Sequence, residues 1–153
     1  MKSRVLAVLC GVLAPILFVA SVNAESPIPQ TVNLFAGMHH IEADLAATPS
    51  SRSSGLMYRK YMPAQHGMLF VFPIAEKHCM WMKNTFLPLS VAFLDDQGSI
   101  INVEEMEPQT EENHCAVKSA RYALEMTAGW FKSRGLNTGF KIKGVSELAV
   151  RPY

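Results

Sequence analysis

The stretch "LSVAFLDDQGSIINVEEM", residues 89–106, constrains the fold more than any other part of this chain. Two strand-length apolar runs flank Asp95-Asp96-Gln97-Gly98, and those four residue types favour a tight reversal. The pattern predicts an antiparallel hairpin. Further strand signals stand on either side of it. "HIEADLAA" (40–47) alternates Ile41, Ala43 and Leu45 with His40, Glu42 and Asp44, the period of a half-buried strand. "GMLFVFP" (67–73) is a short apolar run closed by Gly and Pro, which reads as a buried strand. "RYALEMT" (121–127) alternates again, and "GFKIKG" (139–144) gives a last strand.

Two short helices are expected among them. "TPSSRSSGLMYRK" (48–60) opens with Thr48 as N-cap and Pro49 at the first helical position. "AGWFKSRG" (128–135) carries basic residues in its last turn and Gly135 just past its end. "EPQTEENHCAVKS" (107–119) reads as a polar loop. Strands dominate, and several are apolar on both faces, so they need cover on both sides. The expected fold is therefore α+β and β-rich: a compact curled or small barrel-like sheet with about two short helices packed on it.

The N-terminus bears on compartment. Lys2 and Arg4 precede the uncharged apolar run "VLAVLCGVLAPILFVA", and "SVNA" ends in a small-residue cleavage pattern. That is the anatomy of a secretory signal peptide over 1–24, rather than a permanent anchor. Leu9 directly before Cys10 does not suit a lipidation signal. The expected organisation is a signal at 1–24, a proline-punctuated flexible leader at 25–36, and a single domain at 37–153, periplasmic or secreted. Contact with membrane is expected only through the signal before cleavage, and the domain is expected to be a monomer. Without Lys2 and Arg4 the chain is close to neutral, which leaves no electrostatic case for nucleic acid.

Cleavage after Ala24 would leave Cys79 and Cys115 as an even pair in an oxidising compartment, which argues for a disulfide. It would close a loop of about 37 residues, worth roughly 3–4 kcal/mol in the chain-entropy model. The two cysteines follow His78 and His114, so a Cys₂His₂ set with Met80 and Met82 nearby is the competing reading. Adjacent residues of a strand point to opposite faces, which hinders a His-Cys neighbour pair from sharing one ion. No metal or other cofactor is expected. Cys79 as a nucleophile would need a base, for which His66, His78 or His114 could serve.

Several segments resemble the DUF192 family, also known as UPF0127: "GLMYR" (55–59), "GMLFVF" (67–72), "WMKNTFLPLSVAFLDDQGSI" (81–100), "ALEMTAGWF" (123–131) and "GLNTGFKI" (135–142). Their order and spacing span about residues 37–144. The resemblance implies a compact, β-rich α+β domain, often exported, and brings no biochemical activity with it. Many members resemble "PLD" where this chain has Pro88-Leu89-Ser90, so a mechanism that needs a carboxylate there does not transfer.

The densest polar constellation is Trp81, Lys83, Asn84 and Thr85, together with Arg59 and Glu125. Lys83 and Arg59 near amide and hydroxyl groups could clamp an anionic or sugar-like ligand, with Trp81 as a stacking platform. Equally, Lys83 or Arg59 could pair with Glu125 while Trp81 lies in the core. The functional expectation is a ligand-binding or accessory module of the cell envelope, whose ligand or protein partner the sequence does not name. One alternative is an envelope-directed hydrolase or transferase using Lys83 and Glu125. The other is copper or zinc handling through the His-Cys pairs.

Overall fold

The computed structural model describes residues 30–150. The signal expected over 1–24 lies outside the described residues. In chain order the elements are β1 (Thr31–Ala36), β2 (His39–Ala46), α1 (Pro49–Ser54), β3 (His66–Glu76), β4 (Cys79–Met80), β5 (Leu89–Leu94), β6 (Ile100–Met106), β7 (His114–Cys115), β8 (Ala120–Thr127) and β9 (Ile142–Lys143). Short 3-10 turns occupy Lys132–Arg134 and Ser146–Val150.

Seven strands form one curled sheet in the order β6-β5-β8-β3-β2-β1-β9, and β4 pairs with β7 in a separate ribbon. The hairpin at 89–106 forms as expected, with Leu89 opposite Met106 and Ala92 opposite Val103. Among the described strands, only β2 and β3 run parallel. A parallel pair cannot be joined by a tight turn, and α1 lies within its crossover. The segment before β9 links the two ends of the sheet. Lys141 bridges Ser99 beside β6, while β9 pairs with β1. This gives the sheet its barrel-like curl.

Both faces of the sheet are covered. Leu69 and Val71 of β3 join a core with Leu124, Met126, Trp130, Phe131 and Leu148. Met68, Phe70 and Phe72 face the other way and pack with Leu56, Met62, Met82, Val91 and Phe93. This two-sided cover explains why β5 is buried at every position. It also explains why the alternation in β8 does not mark a solvent face: Tyr122 through Met126 are all buried.

Four details depart from the sequence reading. The leader assigned to 25–36 ends earlier, because Thr31–Ala36 is β1; Val32, Leu34 and Ala36 face inward there. The helix expected over 48–60 stops at Ser54. Thr48 caps it, with its Oγ1 accepting from the Ser51 N–H at 3.1 Å and its own N–H donating to Ser51 Oγ at 2.9 Å. Gly55 at φ 46° then ends it against the Phe70 ring. The second helix is a single 3-10 turn, closed by Gly135 in the left-handed region at φ 66°. The loop expected over 107–119 contains β7, drawn into a ribbon by the Cys79–Cys115 disulfide.

Candidate functional site

Glu125 is the anomaly of the core. It sits on inner strand β8, opposite Met68 of β3 and Val91 of β5, and is only 3% exposed. No hydrogen bond or ion pair holds its side chain among the described residues, and its carboxyl oxygens are not among the fully enclosed atoms that lack a partner, so the group opens onto the space beside it. Burial among apolar neighbours penalises the charged form and pushes its carboxyl up from 4.5 to about 8. An acid so placed normally acquires a partner, because an unsatisfied buried polar group costs about 1–3 kcal/mol. Close approach fixes its position: a Cβ on Gly67 of β3 would stand 2.4 Å from the Glu125 carbonyl oxygen.

Glu125 lines a cavity of about 360 Å³, near the lower end of the roughly 300–1,000 Å³ range of small-molecule sites. The C-terminal end of α1 and the turn after it, Arg52 to Met57, form one wall. Phe70 and Phe72 of β3 form another. His78 to Trp81, with Thr85, close the rest. The lining is thus half apolar, with polar groups at few places.

Each wall is held by identifiable contacts. Arg52 Nη1 donates to the Val71 carbonyl at 3.0 Å and to the Ala47 carbonyl, tying α1 to the middle of β3 and to the residue after β2. No carboxylate pairs with this guanidinium among the described residues, and its fork carries donors beyond those two bonds. His78 stacks on Phe72 with ring centroids 3.7 Å apart, and its Nε2–H donates to the Ile74 carbonyl at 2.9 Å. The disulfide fastens the wall at Cys79. Tyr58 and Asn84 both adopt positive φ, at 65° and 55°, and the Tyr58 N–H donates to the Asn84 carbonyl at 2.9 Å. For a tyrosine this backbone costs on the order of 1–2 kcal/mol, and it holds Met57 and Thr85, next in sequence, on the cavity wall.

The sequence constellation is therefore split. Trp81, Thr85 and Glu125 line the cavity, with Trp81 45% exposed rather than in the core. Lys83 does not line it. Its ammonium lies 5.3 Å from the centre of the Trp81 ring and pairs with Glu111 at 3.3 Å. Arg59 pairs with Asp44 of β2. Neither cation meets Glu125, so both the pairing that would have neutralised it and the Lys83–Glu125 acid-base pair are absent. Asn84 serves through its backbone. The bridge between Cys79 and Cys115 removes both thiolates from the Cys₂His₂ set and from nucleophilic duty.

Arg52 and the adjoining Ser53 and Ser54 carry no signal in the sequence, and His78 stands out there only as a candidate metal ligand or base. A helix of one and a half turns without apolar residues gives no face to its pattern, so nothing in the text aims Arg52 inward. Ser90 donates to Glu105 Oε2 at 2.7 Å across the β5–β6 pair. Both groups accept from the Gly129 N–H. A carboxylate is thus present beside that position, supplied by the neighbouring strand and spent on a turn.

The DUF192 family model, described as "Uncharacterized ACR", matches residues 32–144. A solved structure from Sinorhizobium meliloti 1021, named as a candidate transcription regulator, is 37% identical with a TM-score of 0.70. The match covers 76% of this chain and 93% of that one. A protein of unknown function from Novosphingobium aromaticivorans DSM 12444 is 25% identical, also with a TM-score of 0.70, over 74% of this chain and 84% of that one. No curated protein matches the chain.

Proposed function

This chain belongs to the DUF192 family, and from that premise we propose that it is an exported envelope domain that binds a small ligand in the cavity floored by Glu125. The observation that carries the reading is a buried, unpartnered acid on the wall of a cavity of ligand size. A folding core gains nothing from such a group, since a leucine or methionine there would avoid its desolvation. A ligand that meets the carboxyl supplies the missing partner. Trp81, half exposed, lines the same cavity and adds aromatic surface to it. Export is supported by the N-terminal pattern of residues 1–24 and by a disulfide, which persists in oxidising compartments. The periplasm is the compartment this reading assigns.

A second reading has one observation in its favour. A carboxyl that stays protonated at neutral pH can act as a general acid. The rest of a hydrolase or transferase site is weaker: Thr85 Oγ1 donates to the Lys83 carbonyl, and no hydroxyl on the cavity wall is bonded to a histidine or carboxylate base. Binding is the better supported function.

The test is amide NMR of the mature, oxidised domain against a library of small polar and amphipathic compounds. The binding reading expects some members to shift the signals of Leu56, Phe70, Met80 and Trp81 together. Shifts scattered over the surface, or none at these four, would overturn it.

A further inference from the structure

The cavity carries two ionisable side chains that do not satisfy one another. Glu125 rises from β8 on the sheet side, among Met68 of β3 and Val91 of β5, neither of which titrates. Arg52 comes from α1, on the opposite, covering layer. They form no ion pair, and neither has another charged partner among the described residues. His78, from the turn before β4, is the remaining titratable group on the wall, with its Nε2–H committed to Ile74. The wall also carries the apolar side chains Leu56, Met57, Phe70, Phe72 and Met80.

Resting on the reading of this cavity as a ligand site, we propose that its ligand is a small zwitterion with an apolar body, its ammonium on the Glu125 carboxylate and its anionic group on Arg52. A purely anionic ligand could take one hydrogen bond from the neutral acid but would forgo the charge-assisted pair that an ammonium makes with the carboxylate. A purely cationic one would face the permanent charge of Arg52 unopposed. One molecule bearing both signs answers both, and its body packs on the apolar side chains of the wall. Each contact is charge-assisted, in a setting where such bonds are about twice as strong as neutral ones.

The proposal fixes a proton balance. The empty cavity holds Glu125 as the neutral acid at pH 7, since its carboxyl titrates at about 8. Seating an ammonium there requires the carboxylate, so the acid's proton leaves to the buffer while the ligand keeps its own. At pH 7 this releases about 0.9 proton per ligand bound, and affinity rises with pH toward 8.

Isothermal titration of the mature, oxidised domain at pH 7, in two buffers of different ionisation enthalpy, reads both affinity and proton release. Three probes separate the charges: L-phenylalanine, 2-phenylethylamine without the carboxylate, and 3-phenylpropanoate without the amine. The expected result is L-phenylalanine at least tenfold tighter than either, with proton release that disappears in Glu125→Gln, the variant then binding at least tenfold more weakly. Equal binding of 2-phenylethylamine would overturn the role of Arg52 and with it the zwitterion. Tightest binding by 3-phenylpropanoate, without proton release, would overturn the role of Glu125. If none of the three binds but other compounds shift the four cavity amides named above, the zwitterion fails and the cavity stands as a ligand site. If nothing shifts them, both fail.

Discussion

Replacing Glu125 by glutamine should make this protein more stable at neutral pH, and by an amount that grows with pH. The folded-state carboxyl titrates at about 8 against an ordinary 4.5. Its folded value is raised, so its contribution is fully present below pH 4.5 and is lost as pH rises through that window to about 8. One proton held more tightly by the folded state gives a slope of about 1.4 kcal/mol per pH unit. Between pH 5.5 and pH 7.5, wild type should therefore lose about 2–3 kcal/mol that the variant keeps. Glutamine preserves the shape, and both neutral side chains lack a partner, so the two proteins should differ by less than about 1 kcal/mol at pH 4, with the variant already ahead by about 1.4 kcal/mol at pH 5.5. Urea unfolding of both, at these pH values and with matched m-values, reads the difference. Parallel pH profiles for the two proteins would refute the reasoning, because they would mean that Glu125 is solvated or paired in the folded state.

Other perturbations address the frame around the cavity. Reducing the Cys79–Cys115 bridge should cost about 4 kcal/mol of stability for a loop of this length, read as a drop in urea midpoint; a loss under about 1 kcal/mol would count against a stapling role. Gly67→Ala forces a methyl to 2.4 Å from the Glu125 carbonyl oxygen and the Met126 sulfur. Its cost should reach about 3 kcal/mol, and a melting temperature equal to wild type would contradict the close approach of β3 and β8. Arg59→Ala removes a partly exposed pair with Asp44, so it should cost under about 1 kcal/mol and leave binding in the cavity unchanged within twofold. Expression of the full chain in a Gram-negative host should place a product starting at Glu25 in the periplasmic fraction, and retention of the intact N-terminus in the cytoplasm would contradict export.

Local pattern carried much of the fold. The 89–106 hairpin was legible because its turn chemistry and apolar runs agree, and β2 because its alternation matches a sheet with mixed faces. Cap chemistry located the start of α1 at Thr48, but its end depended on the Phe70 ring beside Gly55, a contact between distant residues. For β8 the period of two was present and its meaning was not: the polar positions are covered too, because both faces of the sheet carry a layer. That is why the text could single out Glu125 for a site or an ion pair without showing that it is buried and meets neither cation. The candidate site suffered the same way. "WMKNT" placed Trp81 and Thr85 beside the cavity, yet Lys83, two residues past Trp81, turns to Glu111 instead. Arg52 carried no signal, since its position depends on hydrogen bonds to the Ala47 and Val71 carbonyls. The disulfide was legible from cysteine parity, which does not depend on tertiary detail.

The most direct test of the account is the carbon-13 shift of the Glu125 carboxyl, followed from pH 4 to pH 9 in the ligand-free domain and assigned by comparison with Glu125→Gln. A buried acid without a partner should stay protonated through neutrality and titrate near 8. A midpoint near 4.5 would show an acid already solvated or paired, and the cavity would lose the group on which the functional reading rests.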